Sequence, residues 1–467
     1  MESGAETIRI LARVLRATGA KDISPAAMRA AQLLLLDTIG CGIAGIHEDV
    51  ARSVADVALR EGGTPVCAII GRTQRTSIVN VVLANGVSIR VLDLNDYLIT
   101  DSKGQPETGG HPSDNIPVAL AVGHARGRSG ADVLTSIVIG YELYARLQSA
   151  MDRNGQWDSV TVSGLVAPAM AGWLMGLDET KLAHAIALGA ARAATPAIVR
   201  TGHISAAKSI ANALIAQSGV QAALLAEAGL TGPLPILDDA RGLRDLFAKT
   251  DPSHFTAAIP ADGGVLRAHV KVYPCVNTGQ AAVAAALKLR AKLGDAIQDL
   301  AHIEIVMADY PAVRRHQEDK GRARPQSREA ADHSFPFLVA VALIDGTFGI
   351  AQFENERWHD PRVTRLMEKI TMRRDAEWNA RAPGGFPCTL RAQNSQGHEF
   401  LAEIPYAPGF SHDGIDRAAT LEKFHAVTAP WLGQTARTQI VDAVMAFPET
   451  SSTTPLDTAI ATEGTPD

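Results

Sequence analysis

Apolar residues fill the first 260 positions in blocks too long for strands and too uniform for exposed helices. Residues 30–43 are hydrophobic nearly all round, which predicts a helix buried inside a bundle. Ser24 followed by Pro25 marks its start, with the serine oxygen as cap and proline at the first helical position. Comparable blocks occupy residues 76–92, 116–125, 131–151, 159–175, 178–194 and 205–228, and Gly229, Gly232 and Pro233 close the last. A short β excursion is predicted at 65–70. Near residue 261 the period changes. Residues 266–273 alternate with period two and 303–307 are rich in β-branched side chains, both strand signatures. Residues 370–374, 388–392 and 399–404 complete a small sheet, the last two as a hairpin across 394–397. Helices are predicted at 279–292 and 327–345, and again at 416–426 and 434–446. The pattern predicts a mainly α protein: a large all-α helical domain (1–262 and 407–447) interrupted by a smaller α+β domain (263–406). Residues 448–467, rich in Thr, Ser and Pro, are expected to form a disordered tail.

Composition sharpens this picture without changing it. The 467 residues are 46% hydrophobic and 20% charged, an ordinary globular balance, with only 5% aromatics and long alanine runs that favour close helix packing. A formal charge of -6 argues against nucleic-acid binding, because there is no basic excess to displace counterions from phosphates. Cys41, Cys67, Cys275 and Cys388 lie far apart without a CxxC pair, as expected of buried reduced thiols rather than of an iron–sulfur cluster. Residues 6–15 lack a signal-peptide core, and no apolar stretch of spanning length is free of charge. A cytoplasmic protein with no membrane partner is the expectation.

HExxH, GxxxxGK[ST] and GxSxG are all absent, which leaves acid–base chemistry without cofactor or metal as the main survivor. One segment is dense in functional types: Asp93, Asn95, Asp96, Tyr97 and Asp101, then Gly109, Gly110, His111, Pro112, Ser113, Asp114 and Asn115. Gly110 permits close backbone approach, Pro112 stiffens the turn that aims His111, and Ser113 or Asp114 can cap the next helix. From residue types alone, a capped surface loop explains the segment equally well.

These motifs, with Asn85-Gly86, Leu92-Asp93-Leu94-Asn95-Asp96 and Gly110-His111-Pro112-Ser113-Asp114-Asn115 foremost, resemble the signature of the MmgE/PrpD family. Further matches follow in order: Ser205-Ala206-Ala207-Lys208, Lys271-Val272-Tyr273-Pro274-Cys275, Gln280-Ala281-Ala282-Val283 and Ala331-Asp332-His333-Ser334. The resemblance spans nearly the whole chain. It implies a helical domain with an α+β lid, usually in a homodimer, and a site between the two for a small carboxylate. Carried over by motif, Asp93, His111, Lys208, Lys271 and Tyr273 would be catalytic. Asp96, Ser113, Asn115 and Gln280 would help bind substrate, and Arg200 and His203 are candidates for a second carboxylate. Proton abstraction beside a carboxylate creates an enediolate that needs fixed positive charge, which Lys208 and Lys271 can supply. His111 is the best candidate to move a proton near neutral pH. His184 reads as structural, and packing or a cap explains His333 as well as chemistry does. The family includes 2-methylcitrate dehydratase, cis-aconitate decarboxylase and an iminodisuccinate epimerase. The GHPSDN stretch resembles the dehydratase branch, so elimination of water from a 2-methylcitrate- or citrate-like acid is the expected reaction. Ser159 and Thr278 stand where members tend to carry histidine, which keeps decarboxylation, epimerisation and a non-catalytic dimer open.

Overall fold

The computed structural model describes residues 6–463, apart from 103–104, 154, 203, 383 and 411–413. Its fold is mainly α. The helix Pro25–Gly45 begins where Ser24 Oγ accepts from the Ala27 N–H at 3.1 Å, and its side chains are buried nearly all round. It packs with Ile78–Arg90, Gly130–Ala150, Ser163–Met175 and Ala207–Glu227 around one large apolar core that draws on residues 8–270 and 424–460. Pro25–Gly45 and Ala207–Glu227 are each long and apolar enough to cross a membrane, although each carries charge, Arg29 and Asp37 in the first and Lys208 and Glu227 in the second. Here they are packed against protein, with 83% and 61% of their apolar windows buried.

A second core gathers residues 275–407. Its four-stranded sheet runs Ile370–Asp375, Leu300–Ala308, Cys388–Asn394 and Glu399–Ile404 in spatial order. The first pair is parallel, the others antiparallel, with Ile305 opposite Met372 on one side and Leu390 on the other. Helices Gln280–Leu293 and Phe335–Asp345 pack within the same core.

Four expectations change. The alternating stretch 266–273 yields only the short strand Ala268–His269, paired with Tyr97 and Leu98. Beyond it the Gln280 side chain stands in for a neighbouring strand, accepting from the Val272 and Tyr273 N–H groups at 3.0 Å and donating to the Tyr273 carbonyl at 2.8 Å. Residues read as loop after Asp96 instead form a hairpin, Tyr97–Ser102 with Gln105–Thr108. The helix expected over 327–345 is two, Arg328–Ala331 and Phe335–Asp345, because Ser334 caps the second and Pro336 sits in its first turn. The tail is not disordered where it is described. Helix Thr454–Ile460 buries Leu456 and Ile460, four apart on one face, and Asp457 accepts from the Ala68 N–H and pairs with Arg75.

Candidate active site

Helix Ile78–Arg90 ends in a turn that places Asp93 in the left-handed region at φ 50°, a conformation Asp tolerates better than most residues. The turn is tied down: the Asp93 N–H donates to the Arg90 carbonyl at 3.0 Å, and Lys271 Nζ donates to the Asp93 carbonyl at 2.9 Å. Its carboxylate is thereby held among three cations. Arg90 Nη1 lies 2.7 Å from Oδ1, Lys271 Nζ contacts the same oxygen, and Lys208 Nζ lies 3.2 Å from Oδ2. Arg90, Asp93, Lys208 and Lys271 are each no more than 2% exposed, so these are desolvated charges. Burial works to raise the Asp93 pKa, but Arg90, Lys271 and Lys208 together hold the carboxyl well below its usual range. Burial lowers that of Lys271.

His111 follows Gly110, whose φ of 79° and closeness to the Tyr144 hydroxyl leave no room for a Cβ. Tyr144 Oη accepts from the His111 N–H at 3.3 Å, and the ring Nδ1 lies 2.5 Å from the Asp96 carbonyl. A carbonyl oxygen only accepts, so Nδ1 carries the proton and Nε2 is left with a lone pair. Nε2 is 4.0 Å from Asp93 Oδ1, and the ring lines a cavity. Burial, with Arg90 and Lys271 nearby, lowers the His111 pKa well below the ordinary value, so the ring is a neutral base at pH 7.

The break between Arg328–Ala331 and Phe335–Asp345 delivers Asp332 and His333 to the other side of Asp93. Lys208 Nζ lies 2.7 Å from Asp332 Oδ2, and His333 Nδ1 contacts Asp332 Oδ1 and stands 3.6 Å from Asp93 Oδ2. Asp93, Asp332 and His333 bring ligand atoms within 4.8 Å of one another, spacing that fits a metal ion. Lys208 already bridges the two carboxylates, and Asp93 also serves Arg90 and Lys271, so the donors are neutralised by side-chain cations and fit a metal poorly.

The cavity in front of these groups measures about 810 Å³ and is lined from both cores, by Asp93, His111, Arg153 and Arg200 on one side and His316, Arg322 and His333 on the other. Arg200 is held 2.6 Å from Asp158, whereas Arg153 donates to the Thr108 carbonyl and Gln148 and has no ion pair among the described residues.

Of the residues the sequence singled out, Asp93, His111 and Arg200 line the cavity, while Lys208 and Lys271 stand behind Asp93. Asp96, Ser113 and Asn115 are buried behind the wall: Ser113 Oγ donates to Asp96, and Asn115 donates to Ser163 at 3.1 Å. Gln280 serves the backbone, as described above. Tyr273 is off the wall, half-buried and edge-on to Phe348 at 6.0 Å. His203 lies outside the described residues. Missed were Arg90, whose place three residues before Asp93 on a helix end was visible, and Asp332, which was noted only as part of the matched motif Ala331-Asp332-His333-Ser334; Arg153, His316 and Arg322 were missed as well, and neighbouring sequence carries no signal for them.

Fold and site thus define a mainly helical protein with a buried Asp–Lys–Arg centre flanked by two imidazoles on a cavity wall. The chain matches the MmgE/PrpD N-terminal domain over residues 9–256 and the MmgE/PrpD C-terminal domain over 273–446, and it belongs to the MmgE/PrpD family. Among relatives, cis-aconitate decarboxylase of Mus musculus is 26% identical over 365 residues, covering 74% of this chain and 71% of that one. The 2-methylcitrate dehydratase of Salmonella typhimurium is 26% identical over 429 residues, 86% of each chain. That of Escherichia coli is 25% identical over 377 residues, 76% of this chain and 75% of its own.

Proposed function

We propose that this chain is a cofactor-independent lyase that removes water from a small hydroxy-polycarboxylate of the citrate or 2-methylcitrate kind. The carrying observation is His111: its Nδ1 is committed to the Asp96 carbonyl, so Nε2 presents a lone pair at the cavity beside the ion-paired cluster of Asp93, Arg90 and Lys271. In this reading Nε2 takes a proton from the carbon next to a substrate carboxylate. The C–H pair becomes the C=C bond as the β-hydroxyl departs. Arg90, Lys208 and Lys271 oppose the charge that develops on that carboxylate, and Arg153 receives a second one. Segment 263–406 serves as a lid, a role supported by the cavity being lined from both cores.

A second reading, decarboxylation of an unsaturated tricarboxylate, is favoured by the matches to relatives named cis-aconitate decarboxylase. The same imidazole, having first taken up a solvent proton at Nε2, would then protonate the carbanion left by carbon dioxide. The deciding experiment incubates the purified protein with citrate, 2-methylcitrate and cis-aconitate in the presence of chelator, followed by enoate absorbance, product NMR and carbon dioxide release. Dehydration without added metal is expected. Turnover that appears only after a divalent ion is restored, or none with any acid, would sink the reading.

A further inference from the structure

The proposed elimination needs a proton donor for the departing hydroxyl as well as a base, and Tyr273 stands off the cavity wall. We propose that His333 is that donor, with Asp332 as its positioning residue; this inference rests on the dehydratase reading. The juxtaposition that carries it is the pair of imidazoles on the cavity wall. They straddle one carboxylate, His111 Nε2 at 4.0 Å from Asp93 Oδ1 and His333 Nδ1 at 3.6 Å from Asp93 Oδ2.

The two rings are wired differently. The His111 Nδ1–H donates to a backbone carbonyl, which has no proton to supply. His333 turns its Nδ1 edge to Asp332 Oδ1, with Lys208 Nζ 3.3 Å away, so the Nε2 edge is left for the cavity that the ring lines. When the Asp332–His333 pair holds one extra proton it is either a carboxylate with an imidazolium or a carboxylic acid with a neutral ring. Both forms carry N–H at Nε2, so the loaded pair is a donor whichever side of the contact the proton occupies. Burial raises the proton affinity of Asp332 and lowers that of His333, which brings the two toward a shared proton. Lys208 and Arg322 oppose charge on the ring, and His316 faces it at 5.9 Å between centroids. An incoming polycarboxylate offsets those cations and favours the loaded state.

The step balances. His111 Nε2 accepts the C–H proton, that bond pair forms C=C, and the C–O pair leaves with oxygen. The oxygen takes the His333 Nε2 proton and departs as water. Solvent then reloads the Asp332–His333 pair, and His111 releases its proton.

The test compares the hydroxy-acid that the wild type turns over with its analogue carrying fluorine in place of the leaving hydroxyl. Fluoride departs without protonation and is read by an ion-selective electrode. His333→Gln is expected to lose about 10²- to 10⁴-fold in kcat on the hydroxy-acid and to keep within about tenfold of the wild-type rate on the fluoro-acid. Asp332→Asn is expected to show a weaker form of the same split, and His111→Ala to lose both activities. If His333→Gln keeps the hydroxy-acid rate, or loses both substrates alike, His333 is not the leaving-group acid, while the dehydratase reading stands. If the wild type releases water from no hydroxy-acid, that reading falls and takes this one with it.

Discussion

Arg90 is the least expected member of the centre, and Arg90→Met tests what it does. Its guanidinium lies 2.7 Å from Asp93 Oδ1, 3.2 Å from Asn95 Oδ1 and 3.7 Å from Asp114 Oδ2. Methionine removes the charge while filling much of the volume. Asp93 keeps Lys208 and Lys271, but Asp114 has no other ion-pair partner among the described residues. Removing one partner of a buried ion pair typically costs about 3–5 kcal/mol. Here the cost should depend on pH. Burial already raises the Asp114 carboxyl to about 6, with Arg90 the largest influence pulling it back, so the substitution raises it further. A carboxyl whose folded pKa exceeds its unfolded value favours folding below the unfolded value, and that advantage is lost as pH climbs through the folded one. Urea unfolding followed by circular dichroism should therefore show a loss of about 3 kcal/mol or more at pH 8 and a clearly smaller loss at pH 5. Arg90 also depresses His111, so the acid limb of kcat/KM should move to higher pH in the variant. A cost below about 1 kcal/mol at pH 8, or an equal cost at both pH values, would refute the assignment of Arg90 as the cation that balances Asp93 and Asp114.

Three further outcomes are expected. His111→Ala should lower kcat about 10²- to 10⁴-fold with little change in thermal unfolding, since its ring borders a cavity; turnover within tenfold of wild type would remove it as the base. Asp96→Asn keeps an acceptor for Ser113 Oγ and removes a charge whose burial lifts its carboxyl to about 7. Urea midpoints should rise above pH 7, by up to about 4 kcal/mol of stability, and converge with wild type below pH 4; destabilisation at pH 8 would contradict this. Deleting the chain after Thr450 removes Leu456 and Ile460 from the core and the Asp457 pairing with Arg75, at a cost of about 3–6 kcal/mol, and an unchanged melting temperature would show the final helix to be an ornament.

The helices were legible because burial all round leaves a plain mark: uninterrupted apolar blocks bounded by Ser24-Pro25 or by Gly229 and Gly232. The hairpin after Asp96 was not, because Tyr97 and Leu98 sit in a segment whose polar residues read as loop, and its pairing with Ala268 and His269 is made across about 170 residues. The final helix was masked by Thr, Ser and Pro, although Leu456 and Ile460 at helical spacing carried its signal. Lys271 illustrates a subtler limit. Period two over 266–273 is met by strand only at Ala268 and His269: Gly264–Arg267 is a 3-10 helix, residues 272–275 bend, and Gln280 takes over the backbone bonding a strand would have supplied.

The candidate site was legible where one short motif holds it and illegible where charge balance does. Asp93 and His111 stand out as residue types in a dense segment. That Asp93 needs three cations follows only from its burial: a lone desolvated carboxylate would take up a proton, and each of Arg90, Lys208 and Lys271 comes from a different stretch of chain. Two of those stretches depart from regular geometry at the point of contact. Asp93 is left-handed just past a helix end, and Lys271 follows a strand that stops early. The same holds for the break at Asp332, His333 and Ser334, where a long apolar block read as one helix. The Asp332 and His333 N–H groups still close the preceding turn, on the Arg328 and Ala330 carbonyls, but at the break the Asp332 carbonyl leaves the ladder and accepts from the Val276 N–H at 2.9 Å. The capped restart at Ser334 frees both side chains to turn toward Lys208 and Asp93. Joining the two helices, by replacing Ser334 and Pro336 with alanine, should therefore weaken the Lys208–Asp332 contact and lower the proton affinity of Asp93, because a like charge moves away and Lys208 is left to Asp93 alone. A carboxyl titration followed by infrared absorbance that found Asp93 unmoved in that variant would show that the break is incidental to the site.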